Sequence, residues 1–213
     1  MSDIFREIDE ELRRDNLLKL WQRYGRYIIG VVVVALAIAG GIVAWRSHQL
    51  TERQARSVRY AAAMTLLREG KNDEAAKVFA SVAGEGGGYG TLANFEDADL
   101  AAQAGNGKDA VADYGRIAES SNVGANFRDV ATLLSVMNGF DDADPHATID
   151  RLKPLTAPDN PWRATALELT AAAQLKLGDK GAALDIFKKL ADDPAAPDGV
   201  RSRAAEMTAA LKP

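Results

Sequence analysis

Side chains able to do chemistry are few in this sequence, and their spacing argues against a catalytic or metal-binding site. There is no cysteine, and the two histidines, His48 and His146, lie far apart. This excludes disulfides, thiolate zinc sites and cysteine nucleophiles, and it leaves no histidine pair at ligand spacing. Gly105-Asn106-Gly107-Lys108 invites comparison with a phosphate-binding loop, but Ala102 stands where that motif needs its first glycine and Asp109 where it needs Ser or Thr. The glycine-dense stretch 84–90 lacks dinucleotide spacing and, lying between two helical patterns, reads as a flexible inter-repeat loop. Asp141, Asp142 and Asp144 lack the glycine and closing glutamate of a calcium loop; they read as a solvated acidic turn with His146 exposed beside it. No catalytic residue, cofactor site, metal site or small-molecule substrate is expected. A hydrolase with an unrecognised polar pocket is the contrary reading.

The elements that must position whatever remains follow from composition and patterning. The chain has 213 residues, 47% of them hydrophobic and 26% charged, which is ordinary globular composition. Its length suits one sizeable domain with a smaller appendage. With 26 Lys and Arg against 30 Asp and Glu, the net charge is -4, so the broad positive field of a nucleic-acid-binding surface is missing.

Residues 27–45 read YIIGVVVVALAIAGGIVAW, nineteen positions without a charge, bounded by Arg26 and Arg46. At about 1.5 Å per residue such a helix reaches roughly 28 Å, close to the hydrocarbon thickness of a bilayer. Trp21, Tyr24, Tyr27 and Trp45 bracket it as interfacial aromatics do. A soluble core helix would show a polar stripe, and none is present. A cleaved signal peptide fits less well, because 26 residues precede the run and the apolar pattern continues past the small-x-small triplet Ala37-Ile38-Ala39. A single-pass transmembrane helix over 27–45 is therefore expected. Arg13, Arg14, Lys19, Arg23 and Arg26 precede it, and Arg46, Arg53, Arg56 and Arg59 follow. The short N-terminal side weighs more in the positive-inside rule, which places residues 1–26 in the cytoplasm and 46–213 outside. A cytoplasmic location for 46–213 is the competing topology. Residues 3–24 pattern as an amphipathic helix through Ile4, Phe5, Ile8, Leu12, Leu20, Trp21 and Tyr24. Ala35, Ala37, Ala39 and Gly41 form small-residue lines along which another membrane helix could pack.

Beyond the span the sequence repeats itself. Ala63, Gly70, Ala75, Phe79 and Val82 recur as Ala98, Gly105, Ala110, Tyr114 and Ile117, and again as Ala171, Gly178, Ala183, Phe187 and Leu190. The offsets are 35 and 73 residues, so a degraded copy is expected in the gap, over 126–155, with a helix from Phe127 to Met137, a turn at Gly139 and a second helix through Ile149, Leu152 and Leu155. Each copy describes two antiparallel helices joined at a glycine, with alanines where the backbones approach and an aromatic residue between neighbouring units. The fold class is all-α: a transmembrane helix, then an α-solenoid of about four helical hairpins and a capping helix over 197–211.

This unit resembles the tetratricopeptide repeat, and Gly70-Lys-Asn-Asp-Glu-Ala75 and Gly178-Asp-Lys-Gly-Ala-Ala183 resemble its turn signature. The match is partial: Arg59 and Asn94 stand where a bulky residue is usual. Glu11-Leu12-Arg13, then Leu20-Trp21-Gln22-Arg23-Tyr24-Gly25, then one span ending in Trp45-Arg46, resembles the bacterial YfgM-like family. That resemblance implies an inner-membrane protein with a periplasmic repeat domain, an ancillary subunit of the SecYEG translocon working alongside periplasmic chaperones and secretory clients. Resemblance to tetratricopeptide grooves points to Tyr60, Met64, Leu67, Leu92, Phe95, Asp99, Glu168 and Leu175 as partner-binding, although some of these must also pack between units. The alternative in another functional class is an envelope scaffold coordinating cell-wall or division enzymes.

Overall fold

Helix formers punctuated by glycine fold as the spacing predicts. In the computed structural model the elements are α1 (Ser2–Arg68), α2 (Asn72–Gly84), α3 (Gly87–Gln103), α4 (Gly107–Glu119), α5 (Ala125–Gly139), α6 (Pro145–Leu152) with a 3-10 turn (Lys153–Thr156), α7 (Arg163–Lys176), α8 (Lys180–Ala191) and α9 (Asp198–Leu211). The backbone is described for residues 2–212, and the side chains for 23–212 except Ile28. Among the described residues every regular element is helical. There are two compact units, Met1–Ala55 and Arg56–Pro213.

In the second unit, Gly70, Gly105 and Gly178 end α1, α3 and α7 with φ of 76°, 81° and 80°. Each closes a Schellman turn. Gly70 N–H donates to Leu67 O and Lys71 N–H to Leu66 O, and the same pair of bonds recurs at Gly105–Asn106 and Gly178–Asp179. The left-handed conformation is what requires glycine there. Three residues then suffice to reverse the chain before α2, α4 and α8.

The alanines do what their spacing implies. Ala63, Ala75, Ala98, Ala110, Ala171 and Ala183 are all fully buried, and Phe79, Tyr114 and Phe187 are buried beside them. A methyl group on each helix lets the two backbones approach, and the ring one turn later fills the groove that the next helix closes. Phe79 packs with residues of α1, α2 and α3, Tyr114 with α3, α4 and α5, and Phe187 with α7, α8 and α9. Each core is thus completed by the following unit's first helix, which is solenoid logic. Helix α9 supplies that last surface with Val200 and Ala204.

The degraded copy is α5 and α6. Thr148, Leu152 and Leu155 are buried at the same spacing as Ala75, Phe79 and Val82, so its second helix keeps the register. Gly139 does not form the expected turn. It is the last residue of α5 and has no positive φ; a Cβ there would stand 3.0 Å from Val111 Cγ2, so its smallness serves the contact with α4. The connection instead takes five residues, and Asp144, expected as part of a solvated turn, caps α6 by accepting from the backbone N–H groups of His146 and Ala147.

The stretch 84–90 is likewise no flexible loop. Helix α2 runs to Gly84 and α3 begins at Gly87. A Cβ on Gly90 would meet Ala83 O at 3.2 Å and Val82 O at 3.3 Å, so the glycine allows two backbones to touch. Glu85, between the helices, is held by Arg56 Nε at 3.1 Å and by Arg59 through two bonds of 2.5 and 2.7 Å. Arg59, standing where a bulky residue is usual, fastens the turn by charge.

In the first unit, α1 shows no break at 26/27 or 45/46, and the expected repeat region 46–213 begins ten residues ahead of the compact unit. Arg23–Arg68 is long and apolar enough to cross a membrane: its most apolar window has a mean hydropathy of 2.7, and none of that window is buried as a soluble core helix would be. Ile29, Val31, Leu36, Ile38, Ile42 and Val43 are all exposed. Ala35, Ala37, Ala39 and Gly41 are exposed too. The side chains of Ile4, Phe5, Ile8, Leu12, Leu20 and Trp21, and those of the motif from Glu11 to Gln22, lie outside the described ones.

Candidate protein-interaction face

The outward face of α3 follows from what the helix buries. Gly90, Ala93, Ala98 and Leu100 turn inward, so Leu92, Phe95, Glu96, Asp99 and Gln103, at steps of three and four, share the opposite side. Two neighbouring first helices extend that side. From α1, Tyr60 donates its hydroxyl to Glu96 Oε1 at 2.9 Å and packs its ring 5.5 Å from Phe79 and 5.7 Å from Tyr89. Met64 and Leu67 lie against the Phe79 core and stay partly open. From α5, Phe127 meets Phe95 at 6.1 Å between ring centroids, while Phe95 also leans on Tyr114 at 5.9 Å. Phe127 is 47% exposed and Met137, further along α5, is 53% exposed.

Of the eight expected residues, Tyr60, Met64 and Leu67 thus lie on α1 and Leu92, Phe95 and Asp99 on α3, with Tyr60 and Phe95 also serving packing between units. Glu168 and Leu175 sit on α7. Glu168 takes a bidentate ion pair from Arg203 of α9, at 2.6 and 2.7 Å, and Leu175 packs on the Phe187 core. Residue spacing had not pointed to Glu96, Phe127 or Met137. Glu96 stands one turn after Leu92 and was readable; the α5 residues were not, because that copy lacks the alanine marking its first-helix register.

The electrostatics of the face are acidic. Burial pushes the Tyr60 phenol up to about 12, helped by its bond to Glu96. Burial also lifts Tyr114 to about 12, and the charges of Asp99 and Glu96 add to it. On the other side of α3, burial raises the Asp97 carboxyl, as does Asp113, against the lowering effect of Arg116.

A second concavity of about 820 Å³ lies between the α3–α4 and α5–α6 turns, lined by Asn106, Lys108, Ser135, Asp142 and Arg151 among others. Buried Ser135 donates to Val111 O at 3.1 Å and accepts from Arg151 at 3.3 Å, so its hydroxyl faces a carbonyl and a guanidinium and no general base. Gly105 there is a helix-ending glycine, not a phosphate cradle. Among the described residues, no group of three or more His, Cys, Asp or Glu is placed to hold a metal ion.

The family model of the tetratricopeptide repeat-like domain matches residues 19–194. The chain belongs to that family. The matched stretch covers all four helical hairpins up to the end of α8, and such domains are typically non-catalytic modules for binding other proteins. No curated protein matches the sequence at a significant level.

Proposed function

We propose that this tetratricopeptide repeat-like protein is a membrane-anchored adaptor that binds partner proteins across α1, α3 and α5. The carrying observation is the side formed by Tyr60, Phe95 and Phe127, where aromatic rings stay partly open although the cores beneath them are closed. Rings and methionines displayed this way suit the recognition of another chain. Residues 27–45 anchor the chain in the inner membrane, residues 1–26 lie in the cytoplasm and residues 46–213 in the periplasm. Tethering raises the local concentration of the repeats at the membrane, so weak contacts suffice. The motif shared with the YfgM-like family makes the SecYEG translocon, periplasmic chaperones and secretory clients the preferred partners. Ala35, Ala37, Ala39 and Gly41 would meet a membrane-embedded subunit.

Photocrosslinking in membranes from positions 35–41 and from Phe95, with identification of the adducts, tests this directly. Translocon subunits from the first set and periplasmic proteins from the second are expected. Adducts with cell-wall or division enzymes only, unchanged when secretion is blocked, would favour the envelope scaffold instead.

A further inference from the structure

Two of the places where neighbouring helices meet across the hairpins carry a carboxylate, and it is answered differently in each. Between α7 and α9, Glu168 receives the guanidinium of Arg203. Between α1 and α3, Glu96 receives only the neutral phenol of Tyr60. One turn on, Asp99 accepts from the neutral amide of Gln103 at 2.7 Å. Neither Glu96 nor Asp99 is in an ion pair among the described residues, whereas Glu69, Glu85, Asp113, Glu168, Asp193 and Asp198 all are.

Arg59 and Arg68 of α1, Arg128 of α5 and Lys176 of α7 have other partners. Arg59 is bound to Glu85. Arg68 bonds Met64 O and Thr65 Oγ1 on its own helix. Arg128 donates to Val123 O at 2.7 Å, and Lys176 lies over the Phe140 ring while donating to Phe140 O and Asp141 O. Two carboxylates at i, i+3 repel each other modestly on a helix. Here they do so with no ion pair to offset it among the described residues, amid partly open aromatic and sulfur-bearing side chains.

Taking the adaptor reading as its basis, we propose that this face selects a cationic-apolar segment of its partner, with a Lys or Arg seated between Glu96 and Asp99 and bulky apolar side chains on Phe95, Phe127 and Met64. The incoming cation gains charge-assisted hydrogen bonds from the carboxylates and the ring face of Phe95. Methionine adapts to varied apolar anchors, so the charge, rather than a shape, sets the selection. An acidic segment is turned away by the same two groups.

The test uses the full chain in nanodiscs of zwitterionic lipid. The probe is a fluorescein-labelled twelve-residue peptide of Lys, Leu and Phe, compared with its counterpart bearing Glu in place of each Lys. The cationic peptide is expected to bind, more weakly as salt rises, and the acidic one at least tenfold more weakly. Glu96→Gln with Asp99→Asn, which keeps an acceptor for Tyr60, should weaken the cationic peptide about tenfold while leaving the thermal melt in place. Asp185→Asn with Asp192→Asn, an equal charge change at two exposed positions on and just after α8, should leave binding unaltered. Equal loss with that pair, or undiminished binding to the Glu96→Gln, Asp99→Asn variant, would overturn the charge assignment. If both peptides bind alike and Phe95→Ala abolishes both, the selectivity fails and the adaptor face survives. If neither peptide binds and crosslinking from Phe95 captures nothing, both readings fall.

Discussion

Glycine is required at Gly90 and not at Gly84, and the two positions predict opposite responses to the same substitution. At Gly90 the missing Cβ is a steric necessity, since the atom would press on the carbonyl oxygens of Ala83 and Val82, which are backbone and cannot turn aside. Gly90→Ala should therefore cost about 1–3 kcal/mol, as overpacking does. Gly84 is helical with open space around it, so Gly84→Ala should gain about 0.5–1 kcal/mol from helix propensity alone. Urea melts of the detergent-solubilised chain read both signs. The tyrosines give a second residue-scale prediction. The phenols of Tyr60 and Tyr114 stand near 12 in the fold against about 10 unfolded, so their contribution to stability is complete below pH 10 and is lost as pH rises through 12. Tyr60→Phe should flatten the fall in melting temperature between pH 10 and 12, measured against the unsubstituted chain. An equal fall in both would show that Tyr60 does not carry it.

Helices and hairpins were the most legible level, because the signal marking them is periodic and each mark has one physical cause. A glycine forced to positive φ and an alanine forced by close helix approach leave the same spacing wherever they recur, so Gly70, Ala75 and Phe79 announced units two and four as well as one. The third unit lost its marks. Thr148 replaced the second alanine, a five-residue turn capped by Asp144 replaced the glycine turn, and Gly139 kept its identity for a different reason, contact with Val111. The outward side of α1 and α3 follows from residue spacing and that of α5 does not, for the same cause, and the ion pair of Glu168 with Arg203, 35 residues away, leaves no local mark in the sequence. A solenoid has a further consequence at this scale. Since each core is shared only with adjacent helices, damage should stay local. Phe187→Ala removes a buried ring at a cost of about 3–5 kcal/mol, and hydrogen exchange should rise in α7, α8 and α9 while α2, α3 and α4 remain protected. Uniform loss of protection would mean that the hairpins fold as one cooperative body.

Across the whole molecule, the membrane reading depends on a sum that two residues can reverse. The strongly apolar positions within 27–45, among them Val31, Val33, Leu36 and Ile42, favour insertion by roughly 0.3–0.6 kcal/mol each, a total of only a few kcal/mol. One charged residue near the centre costs about 2.5–3.5 kcal/mol, so two cost about 5–7 kcal/mol and exceed that total. Val34→Lys with Ile38→Lys, both on exposed positions of α1, should therefore move the protein from the carbonate-resistant membrane fraction to the soluble one, whereas either change alone leaves a mixture. The repeats should not notice, because the cores around Phe79, Tyr114, Leu152 and Phe187 draw nothing from 27–45. An unaltered thermal melt of the released protein is expected. A reporter fused after Pro213 then assigns the side: one active only outside the cytoplasm agrees with the positive-inside count, and one active only in the cytoplasm removes the periplasmic partners from consideration. Recovery of the unsubstituted chain in the soluble fraction would remove the anchor itself, leaving a protein-binding repeat domain whose partners must be sought in solution.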